Sequence, residues 1–437
     1  MKQIKVGLIG LGTVGSGVAQ ILTQQRRLIK NRLGAELVLA RVAEKYLDAP
    51  HRYEVDRALL TPDANNLFND PEIDIIVELI GGIEPARTFM RRALEAGKHV
   101  VTANKALLAR DGNELFALAN EKGLELGFEA SVCGAIPIIK AVREGLAANE
   151  IDYTVGIMNG TANYILSKMT DEGASYAHAL KEAQEKGFAE ADPTYDVEGI
   201  DTAHKLAILA ALCYGNRVNF DDIYTEGISR LEPLDIDFAR EFGYKIKLLA
   251  ISRGGAKSIE ARVHPAMIPV GHPLANVAGA FNAVEIVARS AGPIMLYGLG
   301  AGMLPAGSAV VADVIDIARN MLTGAGVRVP ILAHQPKALR DRPLRKIDEV
   351  SCQHYLRFSV PDQPGVLSKI AGVLAKHNIS IASCVQKGRR VKGSVAVVML
   401  THEAREADVA KAVAGIERLK LIAAPTVRVR IESLAKA

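Results

Sequence analysis

The chain has 437 residues, more than one ordinary domain holds, and its length predicts about two or three domains. Hydrophobic residues make up 49% and charged residues 23%, a globular composition that excludes a disordered chain. The net charge of +4 comes without a basic block, and no apolar run reaches the about 18 residues of a membrane span, so we expect a cytoplasmic protein without nucleic-acid or membrane partners.

The N-terminal segment IKVGLIGLGTVGSGVAQIL predicts a buried strand, a glycine turn and a helix. The turn fits GxGxxG, in which the first glycine makes the tight turn, the second admits a pyrophosphate and the third lets the helix pack on the strand. Amide groups at the start of the helix would face the phosphates. We therefore expect a dinucleotide at Gly10, Gly12, Thr13, Val14 and Gly15, although a glycine turn without a ligand has the same letters.

Alternating strand and helix patterns continue this first domain. They predict strands in AELVLARVA, EIDIIVELIGG, KHVVTANK and GLELGFEAS, and a helix in EPARTFMRRALEAG. The alternation predicts an α/β, Rossmann-type doubly wound parallel sheet with its ligand beyond the carboxyl ends of the strands. Lys105 follows one of those ends, where it is either a functional group or a solvated loop lysine.

The end of the second strand bears on the choice of cofactor. An acidic residue there binds the ribose 2′-hydroxyl of NAD, whereas arginine accommodates the 2′-phosphate of NADP. The sequence has Arg41 near this end, Glu44 and Lys45 just after it, and Arg57 further on. Arg41 and Arg57 favour NADP, and Glu44 leaves NAD open.

Residues 185–205, EKGFAEADPTYDVEGIDTAHK, carry six acidic side chains and end in a lysine. Pro193 predicts that EADPTYD is not helical, whereas IDTAHKLAILAALC predicts a helix with Asp201 and Lys205 one turn apart on one face. The pair is either an ordinary ion pair at a helix start or a partly desolvated lysine suited to proton transfer. The carboxylates would also suit a substrate that carries an ammonium group.

Residues 323–350 are rich in proline and arginine and predict a linker. The segment after it follows the order strand, helix, strand, strand, helix, strand, which predicts a ferredoxin-like βαββαβ unit. A linker before a separate unit also predicts that the unit can be removed without opening the catalytic core.

Several blocks, in order, resemble the homoserine dehydrogenase family over about residues 1–325: GLIGLGTVGSGV, VVTANKALLA, FEASVCGAIPII, IMNGTANYIL, GFAEADPTYDVEGIDTAHK and GLGAGMLPAGSAVVADV. The resemblance implies interconversion of L-homoserine and L-aspartate 4-semialdehyde with NAD(P), in threonine, methionine and isoleucine biosynthesis. It also implies an α+β catalytic and dimerisation domain, and hence a homodimer or homotetramer.

The same resemblance implies roles for individual residues, by matching position. Lys205 is implied as the catalytic acid/base, Lys105 as a second lysine at the reacting centre and the cofactor, and Asp201 as their partner acid. The residues implied to bind substrate are Glu190, Asp196, Gly160 and Thr161; Gly302 is implied to close against the cofactor, and a monovalent cation, Na⁺, is implied at Glu129, Val132, Gly134 and Ile136.

The tail segment VPDQPGVLSKIAGVLAKHNISI resembles an ACT domain. That resemblance implies an amino-acid effector, with L-threonine the expected one, near Asp362, Gly365 and Asn378, although a dimerisation module without a ligand remains open. The expected domains are residues 1–132 for the dinucleotide (with a returning helix near 305–322), 133–304 for catalysis, 323–350 as linker and 351–432 as the regulatory ACT domain.

Two other functions compete with this interpretation. An aspartate-semialdehyde dehydrogenase needs a nucleophilic cysteine, and Cys133 in EASVCGA is the candidate, but no histidine is evidently paired with it. The four cysteines form no CxxC pair and the ten histidines no HExxH motif, so neither disulfides nor zinc are expected. A nucleotide- and amino-acid-sensing regulator without chemistry would leave Asp201 and Lys205 unexplained.

Overall fold

The computed structural model describes residues 2–391 and 394–434. Its first part is an α/β layer. The strands are β1 (Gln3–Ile9), β2 (Glu36–Ala43), β3 (Leu60–Thr61), β4 (Ile75–Glu78), β5 (His99–Thr102) and β6 (Leu126–Gly127), and the helices are α1 (Thr13–Gln24), α2 (Arg26–Leu33), α3 (Asn65–Phe68), α4 (Ala86–Glu95) and α5 (Lys105–Lys122).

These six strands form one parallel sheet in the order β3-β2-β1-β4-β5-β6. That is the strand order of a dinucleotide-binding doubly wound sheet, and its order reverses between β1 and β4. The predicted Rossmann-type class of the first domain is confirmed. The second half of β1, residues 6–9, is apolar and buried because helices cover both faces of such a sheet.

The middle of the chain builds a mainly antiparallel sheet with helices on it. Its strands are β7 (Ile151–Ile157), β8 (Tyr224–Thr225), β9 (Tyr244–Arg253), β10 (Glu260–Pro269), β11 (Phe281–Ala288) and β12 (Gly292–Leu299). Among the strands named here, β8 alone pairs in parallel, with β10. Its helices are α6 (Ile138–Lys140), α7 (Gly160–Glu172), α8 (Tyr176–Glu185), α9 (Thr194–Val197), α10 (Ile200–Tyr214) and α11 (Pro233–Glu241), and α12 (Met303–Thr323) then returns to the first domain.

Helix α9 corrects one prediction, because residues 194–197 are helical directly after Pro193. Proline lacks the amide hydrogen that a helix interior needs, but the first turn of a helix leaves its amides unpaired in any case. Proline therefore ended the preceding segment and began a new turn.

The tail has strands β13 (Ser351–Val360), β14 (Ile381–Val391), β15 (Ser394–Thr401), β16 (Ala404–Arg405) and β17 (Ala424–Ile431), with helices α13 (Val366–Lys376) and α14 (Glu406–Glu417). The predicted ferredoxin-like order is confirmed. The tail has its own apolar core around Phe358, Ile370 and Val409, all fully buried.

The tail is nevertheless continuous with the catalytic domain. One eleven-stranded sheet runs β12-β11-β7-β9-β10-β17-β13-β15-β14, with β8 and β16 added at β10 and β13. The junction is parallel, with Ala266 opposite Arg430 and Met267 opposite Ile431. Residues 323–350 also pack on the catalytic domain through bridges at Arg340 and Leu344. The tail thus shares a sheet with the catalytic domain, which argues against the expectation that it can be removed without opening the catalytic core.

Among the described residues, no helix is both long and apolar enough to cross a membrane.

Candidate active site

The glycine turn between β1 and α1 leaves room for a phosphate group. Gly10 has a φ of 93°, and a Cβ on Gly15 would lie 2.0 Å from the Gly10 carbonyl oxygen, so both positions require glycine. A Cβ on Gly12 would meet nothing within 4 Å, so this face of the turn is open. Gly12 also directly precedes α1 without a side-chain cap, and the free amides at such a helix start suit a pyrophosphate.

The end of β2 lies against the same turn. The Glu44 carboxylate accepts hydrogen bonds from the backbone amides of Leu11, at 2.8 Å, and Tyr46, at 3.1 Å. Glu44 therefore fixes the glycine turn from the side where an adenosine ribose would lie. Arg41 is half-buried in β2, and Arg57 pairs at the surface with Asp48 at 2.9 Å.

The buried centre of the site is Asp201, on the first turn of α10. Its Oδ2 atom accepts a hydrogen bond from Lys205 Nζ at 2.7 Å, and its Oδ1 atom lies 2.9 Å from Lys105 Nζ. Lys205 Nζ also donates to the Met158 carbonyl oxygen at 2.7 Å. The two lysines come from distant parts of the fold: Lys105 starts α5, which follows β5 of the parallel sheet, whereas Lys205 lies on α10, which packs on β9 and β10. One carboxylate thus joins both parts of the site.

Charge holds this centre in its ionised form. Burial alone would raise the pKa of Asp201, but Lys205 and Lys105 outweigh burial and hold the pKa far below its ordinary value. In return Asp201 is the main cause of a raised pKa at Lys105, against the lowering effect of burial. The Lys205 side chain is only 9% exposed and that of Lys105 37%, so Lys105 is the lysine that solvent reaches more easily.

Asn159, which the sequence did not single out, organises the carboxylates. Its side-chain nitrogen donates to Asp196 at 2.8 Å and to Asp201 at 2.9 Å, and its oxygen caps α7 by accepting from the Ala162 amide. Burial raises the pKa of Asp196, and the Asn159 bond opposes that shift. The motif letters MNGT contained Asn159, but only the fold brings it to residues 196 and 201.

The residues implied to bind substrate lie on the segment before α10 and at the start of α7. Asp196 is half-buried and Glu190 is exposed, both on the segment that precedes α10. Gly160 opens α7, and Thr161 donates its hydroxyl hydrogen to the Phe188 carbonyl oxygen at 2.6 Å. This hydrogen bond connects the acidic segment to the start of α7, so the hydroxyl hydrogen of Thr161 is already used within the protein.

A contact between Tyr195 and the buried His204 of α10 was also missed. The Tyr195 hydroxyl lies 3.0 Å from His204 Nδ1, and the His204 ring stacks on Phe220 with centroids 4.2 Å apart. Burial lowers the pKa of His204 to about 4, so the ring is neutral near pH 7. The contact holds Tyr195, and with it the neighbouring Asp196, against the helix that carries Asp201 and Lys205.

The implied cation residues lie in a tight loop after β6. The Glu129 carboxylate is buried and accepts from the amides of Ile139 and Lys140, at 2.8 and 2.9 Å. Burial, and then the charge of Asp313, raise the pKa of Glu129 to about 7. Cys133 has a φ of 56° and Gly134 a φ of 54°, which turns two successive peptide units in the loop.

The same loop touches the segment that precedes α12. A Cβ on Gly134 would lie 2.5 Å from the Gly300 carbonyl oxygen, and one on Gly300 would lie 2.2 Å from Asn282 Nδ2. Both side-chain polar atoms of Asn282 are buried without a hydrogen-bond partner. Gly302, with a φ of 132°, starts α12, which packs closely on α1 at Gly17 and Gly307. The implied cation loop and the implied cofactor-closing loop are therefore in contact.

Cys133 does not have the environment of a nucleophile. The side chain is fully buried, and burial raises the pKa of its thiol to about 11. A catalytic cysteine needs its thiolate form near neutral pH. The aspartate-semialdehyde dehydrogenase interpretation thus lacks its central group.

A cavity of about 350 Å³ lies beside the Gly365 turn of the tail, and Asp362, Gln363 and Gln386 line it. Asn378 does not line this cavity, because it lies beyond the far end of the eleven-residue helix α13, roughly 16 Å along the helix axis. The three implied effector residues therefore do not meet within one chain.

Three family models match the chain. Residues 10–129 match the homoserine dehydrogenase NAD-binding domain, residues 137–315 homoserine dehydrogenase, and residues 354–420 the ACT domain. The chain is 46% identical to the homoserine dehydrogenase of Neisseria gonorrhoeae and 45% identical to that of Pseudomonas aeruginosa, in each case over 99% of this chain and 100% of the relative. A solved homoserine dehydrogenase structure from Thiobacillus denitrificans superimposes with a TM-score of 0.92, at 48% identity over 100% of this chain and 99% of the other.

Proposed function

The chain belongs to the homoserine dehydrogenase family, and from that premise we propose how its residues carry out the reaction of an NAD(P)-dependent oxidoreductase. The reaction interconverts L-homoserine and L-aspartate 4-semialdehyde. The observation that carries the proposal is the contact of one buried aspartate, Asp201, with two lysines, Lys205 of α10 and Lys105 of α5. The bound nicotinamide accepts or supplies the hydride.

In this proposal the substrate oxygen lies between the two lysines. The Lys205 amine takes the hydroxyl proton when the alcohol is oxidised and returns it when the aldehyde is reduced. The Lys105 ammonium stabilises negative charge on that oxygen, because Asp201 raises its pKa and keeps it protonated. Asp201 orients both amines without losing its own charge.

The acidic segment is proposed to hold the substrate's ammonium group. Glu190 and Asp196 precede α10 on the side of Asp201, and both contribute to the raised pKa of Lys105 through their charge. Gly160 and Thr161 would bound the same space at the start of α7. An ammonium group keeps its charge throughout the reaction, so this contact would serve binding more than chemistry.

NADP is proposed as the preferred nicotinamide, with NAD as a second substrate. The Glu44 carboxylate is engaged by two backbone amides, which leaves it less free to bind a ribose hydroxyl. Arg41 would meet the 2′-phosphate, with Arg57 as a second cation. Gly302 and the glycine turn would close around the nicotinamide and pyrophosphate. The ratio of kcat/KM for NADPH to that for NADH tests this preference, and a ratio below one would contradict it.

A monovalent cation, Na⁺, is proposed in the loop of Glu129, with carbonyl ligands from Val132, Gly134 and Ile136. The fit rests on the buried Glu129 carboxylate: burial, and then the charge of Asp313, raise its pKa, and a cation beside it would oppose both effects. An oxygen donor set of this kind suits a hard cation. Activity should rise when Na⁺ replaces a bulky organic cation at constant ionic strength.

The domain limits given above are proposed for this chain, with residues 351–432 as a regulatory unit that takes an amino acid, L-threonine. Asp362 and Gly365 line a cavity of about 350 Å³, which is large enough for a small amino acid. Asn378 could reach such a site only from the tail of a second subunit. The competing role, a dimerisation module without a ligand, predicts no threonine response. A cytoplasmic location is proposed with these assignments.

A homodimer, or a tetramer built from it, is proposed to form through the outer face of β12. This edge strand exposes Met295, Tyr297 and Leu299, and Tyr297 stacks on Phe281 with ring centroids 5.0 Å apart. An edge strand with such a face pairs readily with another copy. Tyr297→Glu should lower the molar mass measured by light scattering, and an unchanged mass would contradict the interface.

The central experiment measures NADPH oxidation with L-aspartate 4-semialdehyde, with and without threonine. Saturable turnover that needs both substrates supports the proposal. Cofactor binding without turnover would instead support the sensing regulator.

A further inference from the structure

Asn104, the residue before Lys105, connects the start of α5 to the loop after β4. Its side-chain oxygen accepts a hydrogen bond from the Leu107 amide at 3.1 Å and so caps the helix. Its side-chain nitrogen donates to the Gly82 carbonyl oxygen at 2.7 Å. The residue is only 6% exposed, so water cannot easily replace either partner. Both polar atoms of one side chain are therefore used, one for the helix and one for the loop.

The 79–82 loop, which follows β4, borders the cleft for the dinucleotide. The strand order of the parallel sheet reverses between β1 and β4, and this point is the usual dinucleotide site of such sheets. A Cβ on Gly10 of the glycine turn would lie 2.8 Å from Ile80 Cγ2 and 3.1 Å from the Leu79 carbonyl oxygen. Ile80 is nevertheless 39% exposed, which leaves an apolar surface beside the turn for a bound cofactor.

A fully buried carboxylate, Glu78 at the end of β4, fixes the shape of this loop. It accepts hydrogen bonds from the amides of Ile80 and Gly81, at 2.9 and 3.3 Å. It also accepts from the Thr102 hydroxyl at 2.7 Å, and the oxygen of that hydroxyl accepts from the Asn104 backbone amide at 3.0 Å. Glu78, Thr102 and Asn104 thus form one buried chain of hydrogen bonds between the loop and the start of α5.

The position of Lys105 depends on this chain of hydrogen bonds. Lys105 is the first residue of α5, so the cap at Asn104 sets where its backbone lies. From there its Nζ atom lies 2.9 Å from Asp201 Oδ1, with the Lys105 side chain 37% exposed. A misplacement of about 1 Å at a reacting group can cost about 10²-fold in rate. A change in the 79–82 loop that moves Asn104 therefore moves a group proposed to act on the substrate oxygen.

We propose that Asn104 is a positioning residue, which fixes Lys105 at the reacting centre through its bond to the 79–82 loop of the cofactor cleft. The inference rests on the proposed function, because that function gives Lys105 its role. A helix cap alone makes a different prediction, since any good capping residue at position 104 would then serve equally well. The bond to Gly82 is what distinguishes the two roles.

The first test separates the two bonds of the Asn104 side chain. Asn104→Ser keeps an N-cap of about equal strength but has no amide nitrogen for Gly82. Its midpoint of urea unfolding should stay at that of the parent, whereas kcat for L-homoserine should fall at least about tenfold. Asn104→Asp keeps the side-chain shape and the cap and also cannot donate, so it should lose kcat in the same way. Asn113→Ser is the matched control, the same exchange at an exposed position of α5, and it should keep kcat within about twofold.

The second test asks whether Asn104 acts through Lys105. In a Lys105→Ala background, Asn104→Ser should have almost no further effect on kcat, because the group that it positions is gone. The inference is overturned if both backgrounds lose the same factor, or if Asn104→Ser alone keeps the parent's kcat. Lys105→Ala with full activity would refute the proposed role of Lys105, and the inference with it.

A third measurement does not depend on turnover, so it decides even if the parent does not oxidise homoserine and the proposed function fails. Asp201 raises the pKa of Lys105 and keeps it as an ammonium group, which acylating reagents do not attack. Acetylation by N-hydroxysuccinimidyl acetate, followed by mass spectrometry, should therefore be at least about threefold faster at Lys105 in Asn104→Ser than in the parent. Lys122, exposed at the other end of α5, is the internal control and should react equally in both proteins. Equal rates at Lys105 would overturn the inference.

Discussion

Arg357→Ala is expected to destabilise the catalytic domain although Arg357 belongs to the tail. Its guanidinium makes two bonds to the Asp235 carboxylate, Nε to Oδ1 at 2.6 Å and Nη2 to Oδ2 at 3.0 Å. Asp235 is fully buried, and it also accepts from the Tyr355 hydroxyl at 2.9 Å and from the Glu232 amide at 3.0 Å. Alanine at position 357 would leave that carboxylate buried without its cation.

The expected loss is about 3–5 kcal/mol, the usual cost of removing one partner of a buried ion pair. Arg240→Ala is the matched control. Arg240 lies on α11, the helix that carries Asp235, and it pairs with Asp237 at 2.6 Å with both side chains well exposed. A surface pair contributes about 0–1 kcal/mol, so the control should be close to the parent. Asp235→Ala in the Arg357→Ala background should recover part of the loss, because it removes the unpaired charge.

Urea unfolding, followed by far-UV circular dichroism, measures these differences. The chain has no tryptophan, so indole fluorescence cannot report the transition. A chain that ends at Glu349 loses Tyr355, Arg357 and Arg430 together, and we expect it to be poorly soluble and inactive. Arg357→Ala within about 1 kcal/mol of the parent, or a soluble 1–349 chain with the parent's kcat, would refute the reasoning.

Three further predictions concern the active site. Lys205→Ala should lower kcat by about 10²–10⁴ while the dissociation constant of NADPH stays within twofold, and retention of half the activity would contradict the acid/base role. Glu190→Gln should raise KM for homoserine more than it lowers kcat, because an ammonium contact is equal in ground and transition states; equal losses in kcat and kcat/KM would place Glu190 in the chemical step. Asp201→Asn removes the main cause of the raised pKa of Lys105, so Lys105 should lose its proton at lower pH. The alkaline limb of the pH–rate profile should then move to lower pH. If that limb does not move, the loss of activity at high pH does not come from Lys105.

Patterns within short stretches of sequence predicted the elements of the fold that depend on neighbouring residues. The glycine turn, the alternation of strands and helices and the order of the tail each follow from periodicity and turn residues within about 30 residues. The placement of Asp201 and Lys205 on one face of α10 follows from a spacing of four residues, and the structure brings their atoms to 2.7 Å.

Contacts between distant segments could not be predicted in this way. Asn159 reaches Asp201 across 42 positions, and Arg357 reaches Asp235 across 122. Each is an ordinary polar residue in its local sequence, and only the packed fold gives it a buried partner.

The junction of tail and catalytic domain depends more on charge than on strand pairing. Only two residue pairs join β10 to β17, Ala266 with Arg430 and Met267 with Ile431. Arg430 nevertheless binds Glu226 of the catalytic domain and Glu406 of the tail, at 2.6 and 2.7 Å, with its side chain 1% exposed. A buried cation with partners in two domains has one low-energy position, because any sliding of the junction would leave at least one charge unpaired in the interior. The tail is therefore held in one orientation against residues 226–234 of the catalytic domain, where the Ile228 amide bonds to the Val197 carbonyl oxygen of the acidic segment.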